Sequence, residues 1–285
     1  MASKLQLEGG IALVTGAAAG IGKETVLAFA EAGVEGVLLA DLNDASAVIE
    51  ESKKFAKNEN FRAIAVQLDV SDENAVRAMV DTAVNEFGRI DYCVHCAGMG
   101  NISGATTEHL KIDVFDKTVA VNIRGTMLVM STVSKAMAAQ EPRTYQNPSA
   151  RNPTATRDLG RGSIVTIASV NAFVPAPGMM PYTSSKHAVI GITKTAALDN
   201  IKNHIRVNAV CPSWTDTPMM QASLQRVPQL GHIIQKLSPL GRAASPDEVA
   251  DYIMFLCSPS ATYINGSCLM IDAGLTLTAH GAASL

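Results

Sequence analysis

Tyr182 and Lys186, in the run YTSSKHAVIGITKTAALDNI, are the residues of this 285-residue chain best suited to move a proton. Four residues apart, they project from one face of a helix. A tyrosine hydroxyl with a pKa of about 10 is a poor base at neutral pH. A lysine ammonium about 4 Å away, at an effective dielectric near 20, is worth about 4 kcal/mol, enough to lower that value by about three units. Ser169 stands 13 residues before Tyr182 at the end of a strand-like run. Its hydroxyl is placed to hold a developing alkoxide. This is the proton half of converting a secondary alcohol to a ketone, and the other half is a hydride acceptor. A Tyr-x-x-x-Lys pair alone is common on solvated helix faces, so the reading depends on finding that acceptor.

A site for it opens the chain. The run IALVTG reads as a first strand, ends in Thr15-Gly16-Ala17-Ala18-Ala19-Gly20-Ile21-Gly22 and continues into the helix-like KETVLAFAEAG. Glycine at 16 permits a tight turn, Gly20 lets backbone approach a pyrophosphate, and Gly22 lets helix pack on strand. The helix end after Ile21 then offers free N–H groups and a partial positive charge to the phosphates. Asp41 closes the second strand 19 residues after Gly22. A carboxylate there can accept from both ribose hydroxyls of NAD and repels the 2′-phosphate of NADP. Leu42, rather than an arginine, follows it, so NAD is the expected cofactor.

These groups need a scaffold, and the strand-like runs IALVTG, VEGVLLAD, FRAIAVQLDV, IDYCVHCAG, GSIVTIAS, IRVNAVCPS and CLMIDAG alternate with helical stretches near 21–33, 44–58, 72–87, 109–140, 182–203 and 246–257. Near-continuous hydrophobicity means burial on both sheet faces. The expected fold is α/β: a single Rossmann-like, doubly wound parallel sheet of about seven strands with helices on both faces, in one domain spanning 1–285. Ser71 and Ser245 are the expected caps of two helices. The segment QEPRTYQNPSARNPTATRDLGR, with three prolines and four arginines, reads as a solvated loop. It places a surface insertion at 141–161 that serves as tolerated decoration, a lid or a partner contact. A tail is expected at 276–285.

Composition limits the partners. A net charge of −3 with scattered Lys and Arg gives no footprint for nucleic acid. No apolar run approaches the roughly 20 residues of a membrane span. The first ten residues contain no apolar signal core, so a cytoplasmic location is expected, with five free cysteines. Cys93 and Cys96 have an odd separation along a strand, point to opposite faces and lack further ligands, so no metal site is expected.

The TGxxxGxG spacing with the Tyr-x-x-x-Lys pair resembles the short-chain dehydrogenase/reductase family, over roughly residues 7–275. The resemblance implies that Asp69 and Val70 contact the adenine, and that Cys96-Ala97-Gly98 stands where the family has Asn-Ala-Gly, with cysteine a departure. Pro212-Ser213 replaces the family's Pro-Gly, while Thr215 and Thr217 look like the residues that hold the nicotinamide amide. Asn122, in VAVNIRGT, matches the asparagine that completes a proton relay through water. Lys186 would also bind the nicotinamide ribose, and Ser169 the substrate oxygen. The catalytic set is therefore Asn122, Ser169, Tyr182 and Lys186, of which Asn122, Tyr182 and Lys186 also face the cofactor.

Substrate should lie against the segments after the fifth and sixth strands. They carry Asn171, Phe173, Val174, Met179, Trp214, Met219, Met220 and Leu224 with no basic cluster. Such a lining suits a bulky hydrophobic alcohol or ketone of terpenoid, steroid or polyketide-like character. The same site would also serve reduction, epimerisation or dehydration, or, without turnover, an NAD-binding sensor. In this family the long helices bearing the asparagine and the tyrosine pair with symmetry mates, so a homotetramer or dimer is expected.

Overall fold

The structure, a computed structural model, describes residues 7, 9–100, 104–146, 154 and 156–278. In chain order it runs β1 (Ile11–Thr15), α1 (Gly20–Ala32), β2 (Gly36–Asp41), α2 (Ser46–Lys53), β3 (Arg62–Gln67), α3 (Glu73–Phe87) and β4 (Tyr92–His95). There follow α4 (Ile112–Thr118), a π-turn over Val119–Gly125, α5 (Thr126–Ala138), β5 (Arg143–Gln146), β6 (Thr156–Gly160), β7 (Gly162–Ile167) and α6 (Met180–Asp199). The chain continues through β8 (Ile205–Pro212), α7 (Pro218–Arg226), α8 (Leu230–Leu237), α9 (Pro246–Cys257) and β9 (Cys268–Ile271).

Seven strands form one parallel sheet in the order β3-β2-β1-β4-β7-β8-β9. The order reverses between β1 and β4, and a doubly wound sheet opens a crevice beyond its strand ends at that point. Every residue of β1 is buried because helices cover both faces. Ala12 and Val14 join a core with α1 and α9, while Leu13 joins one with α3, α5 and α6. Cys93 and Cys96 likewise divide between the two cores, and all five cysteines are free. No helix among the described residues is long and apolar enough to cross a membrane.

Four local expectations are corrected. The helix expected over 109–140 is broken by the π-turn. The cap of α3 is Asp72, whose Oδ1 accepts from the Asn74 and Ala75 amides at 2.8 and 3.2 Å, while Ser71 donates to Asp69. The carboxylate is both the stronger acceptor and the better match to a positive helix end. At α9 the expected Ser245 start holds, with the Glu248 carboxylate accepting the Ser245 N–H at 2.8 Å. The segment after Thr215, expected only to line a pocket, forms α7 and α8.

The fourth correction is the 141–161 insertion. It is not all loop: β5 and β6 pair antiparallel. The hairpin roots at the N-terminal ends of the parallel strands, the end remote from Ser169 and Tyr182. There Arg143 and Arg89 flank the buried Asp91 carboxylate at 3.5 and 2.8 Å, and Asp91 also accepts the Ile11 N–H. The hairpin tip, 147–153 and 155, and the tail from 279 onward lie outside the described residues.

Candidate active site

The glycine loop follows β1 at the switch point. Gly16 has φ +68°, and a Cβ there would come within 2.7 Å of the Ala97 nitrogen; one on Gly22 would strike the Gly16 carbonyl. Both positions therefore exclude side chains, as the sequence required. Gly20 lies beside Thr217, so the loop and the segment after β8 close on one another. Helix α1 begins at Ala19 with no side-chain cap and no acid in its first turn. Its first N–H groups thus have no side-chain cap, as a phosphate site requires.

Around this loop the remaining cofactor candidates assemble unevenly. Asp41 Oδ2 accepts the Ala18 N–H at 2.9 Å and Oδ1 the Asn43 N–H at 2.8 Å, so the carboxylate braces the loop from the end of β2. Leu42 beside it is exposed. Asp69 is exposed and turns toward Ser71, while Val70 packs against Gly125 of the π-turn. The Cys96 thiol faces Thr25 of α1 and the core, and burial pushes it up to about 12. It is a packing group rather than a thiolate. Ala97 and Gly98 stay at the loop, and a Cβ on Gly98 would lie 3.8 Å from Lys186 Nζ. Pro212 ends β8, Ser213 is held by its N–H to the Ile271 carbonyl at 2.9 Å, and Thr215 is buried.

Of the four candidate catalytic residues, Asn122 and Lys186 come together at Gly98. Ser169 follows β7 and is buried; Tyr182 and Lys186 stand on the first turns of α6. The Ser169 hydroxyl lies close enough to the Tyr182 phenol to favour its ionised form. Lys186 Nζ lies 5.5 Å from the Tyr182 ring centroid and donates to the Ile167 carbonyl at 2.7 Å. The Asn122 side chain pairs with the Met99 backbone both ways, at 2.7 and 3.0 Å, and donates to Ser185 Oγ at 3.0 Å. Ser185 in turn donates to the Tyr182 carbonyl at 2.7 Å. Asn122 thereby ties the π-turn, the loop after β4 and α6 into one unit.

The electrostatics depart from expectation. Tyr182 is raised rather than lowered: burial dominates, and the Ser169 hydrogen bond opposes it only in part. Burial also holds Lys186 down at about 8. Its ammonium serves the Ile167 carbonyl, so the chain's own groups do not supply the three-unit drop anticipated for the phenol.

Of the expected substrate lining, Asn171 sits under Ser169, accepts its hydroxyl at 3.3 Å and meets Met179 Sδ at 3.7 Å. Met219 covers Gly100. Phe173, Val174 and Met219 are exposed at the rim, while Trp214, Met220 and Leu224 are partly buried on the loop and helix after β8. One residue went unremarked in the sequence. His95 ends β4 and is buried between Thr15 and Thr126; a histidine inside the apolar run IDYCVHCAG was the available signal.

Comparison with known proteins agrees with this geometry. Residues 16–276 match the family model described as Enoyl-(Acyl carrier protein) reductase. Short-chain dehydrogenase fogB of Aspergillus ruber is 48% identical over 273 residues, covering 95% of this chain and 98% of its own. A solved levodione reductase superposes with a TM-score of 0.81 at 29% identity, over 95% of this chain and 98% of its own. A 3-oxoacyl-(acyl-carrier protein) reductase from Brucella melitensis, solved in complex with NAD, gives 0.81 at 28% identity over 95% and 98%. With its parallel sheet, glycine loop and Tyr-x-x-x-Lys helix, the chain is a member of the short-chain dehydrogenase/reductase family, oxidoreductases that act on small molecules with a nicotinamide dinucleotide.

Proposed function

We propose that this enzyme uses NAD to interconvert a secondary alcohol and a ketone on a bulky hydrophobic small molecule. The observation that carries the reading is the buried Ser169 hydroxyl acting on the Tyr182 phenol, with the buried Lys186 ammonium 5.5 Å from the same ring. A substrate oxygen entering between the two hydroxyls would accept from Ser169 and exchange its proton with Tyr182. Both donors are held before substrate arrives: Ser169 by the Asn171 amide at 3.2 Å, Tyr182 by its place on α6. Such preorganised donors are worth about 2.7–4 kcal/mol in comparable oxyanion sites.

The residues present fit the dinucleotide. Gly16, Gly20, Ile21 and Gly22 would hold the pyrophosphate against the uncapped α1 terminus, Asp41 the adenosine ribose, Lys186 the nicotinamide ribose, and Thr215 and Thr217 the nicotinamide amide. When bound, the nicotinamide accepts or supplies the hydride, and its oxidised ring adds positive charge near the phenol. Below pH 8 Lys186 is an ammonium and adds a second positive charge beside the Tyr182 ring. A relative solved with NAD supports the cofactor reading, and the preference over NADP rests on the Asp41 carboxylate with no cation at Leu42.

The lining supports the substrate class: sulfur and aromatic side chains at Met179, Met219, Met220, Phe173 and Trp214 adapt to large apolar ligands. A screen of hydrophobic secondary alcohols with NAD, and of ketones with NADH, followed by NADH absorbance, tests this reading. Turnover of bulky members in preference to short or charged ones is expected; turnover confined to charged or acyl-thioester substrates would overturn the assignment.

A further inference from the structure

We propose that His95 is a positioning residue: it carries a directed hydrogen-bond chain from the loop after β4, through Thr15 and Thr126, to the backbone carbonyl of Asn122. The inference rests on the alcohol–ketone reading, in which Asn122 completes the proton relay.

Every proton in the chain is assigned by the groups at its two ends. The Ala97 N–H can only donate, and it does so to Thr15 Oγ1 at 3.2 Å. At the far end the Asn122 carbonyl can only accept, and Thr126 Oγ1 donates to it at 2.6 Å. Thr126 has then spent its one proton and must accept from His95 Nε2 at 3.1 Å. With its proton on Nε2, a neutral imidazole accepts at Nδ1, so Thr15 donates there at 2.8 Å. The order is Ala97 N–H to Thr15, Thr15 to His95, His95 to Thr126, and Thr126 to Asn122.

The fold makes this path available. Thr15 and His95 are register partners on the adjacent strands β1 and β4, so the imidazole is placed by the sheet itself. Its other nitrogen reaches across to the first residue of α5. There the π-turn over Val119–Gly125 shifts the helical bonding from i→i+4 to i→i+5; such bulges are frequent at functional sites. The Asn122 side chain is already committed to Met99 and Ser185. Thr126 donates to the backbone carbonyl, and His95 fixes the direction of that hydroxyl. A carbonyl has two lone pairs, so the Thr126 bond leaves one for a water or a donor. Protonation would convert Nδ1 into a donor and leave the Thr15 proton without its acceptor. Burial, reinforced by the nearby Lys186 charge, holds His95 down at about 3, so the chain keeps one direction at working pH.

Three substitutions separate the arms. His95→Asn retains an acceptor for Thr15 but is too short for Thr126. His95→Gln can donate to Thr126 but loses the Thr15 arm, and Thr126→Val deletes the hydroxyl that holds the carbonyl. Amide hydrogen exchange across residues 119–125 should accelerate about tenfold in His95→Asn and Thr126→Val, the effect of losing one net hydrogen bond, and stay near wild type in His95→Gln. With a ketone from the screen, kcat should fall about tenfold in the same two variants while the KM for NADH stays within about twofold. Partners in one chain are non-additive, so the double variant should be no worse than either single one. Unchanged exchange in both His95→Asn and Thr126→Val, or equal kcat and NADH losses in all three variants, would overturn the positioning role. If no alcohol or ketone is turned over, the alcohol–ketone reading fails, and the exchange comparison still decides whether His95 sets the π-turn.

Discussion

Lys186 carries an electrostatic conflict, a buried ammonium whose hydrogen-bond acceptor is a neutral carbonyl. Burial lowers its pKa to about 8 against 10.5 for the ordinary side chain. Between those values the unfolded chain binds more protons than the folded one, so stability rises with pH across that window and the full cost of the charge is present below it. Lys186→Met should therefore stabilise the fold at pH 7, by about 2–4 °C in melting temperature per kcal/mol recovered, and flatten the rise above pH 8 while removing activity. A lower melting temperature for Lys186→Met at pH 7, in calorimetry, would contradict this. The spacing of Tyr182, Lys186 and Ser169 was legible in sequence because it depends on one helix and one strand end. The sign of the Tyr182 shift was not, because it depends on how deeply α6 packs and on where the Lys186 ammonium finds its acceptor.

At the scale of elements, the loop after β1 and the end of β2 act together, since Asp41 braces Ala18. The kcat/KM with NAD should exceed that with NADP by at least about tenfold, because repelling a phosphate is worth more than about 1.4 kcal/mol. Asp41→Ala should narrow the gap mainly by weakening NAD, having lost both a ribose partner and the loop brace. Equal efficiencies in the wild type would sink the preference. The hairpin makes a different demand. Asp91 is buried and serves Arg89, Arg143 and the start of β1, and breaking a buried pair costs about 3–5 kcal/mol. Asp91→Ala should lower the denaturant midpoint correspondingly, with turnover per folded molecule retained; a midpoint within error of wild type would refute the anchor. The parallel strands could be read from their continuous apolar runs. The hairpin could not, because Arg143–Gln146 and Thr156–Gly160 alternate partly buried with exposed positions while lacking an apolar period, and the Asp91 carboxylate that Arg143 meets is distant in sequence. The π-turn was equally hidden, since VAVNIRG continues a helical pattern and only the backbone bonding reveals the break.

The whole molecule presents apolar side chains that its own fold leaves uncovered. Ile112 on α4, Met127 on α5 and Leu198 on α6 are 61, 55 and 70% exposed, on the helices that flank the site. Apolar surface of this kind marks association, and a dimer or tetramer is the expected state. A monomer by light scattering at micromolar concentration would contradict it. Tyr182 is the centre of the proposed chemistry, and it is tested most directly by the pair of quantities measured for Tyr182→Phe: turnover of the best substrate and the dissociation constant for NADH. Turnover should fall by at least the roughly 10²-fold that positioned proton transfer contributes, while NADH binding stays within about twofold; near-normal turnover with normal NADH affinity would mean that other groups on this fold perform the chemistry.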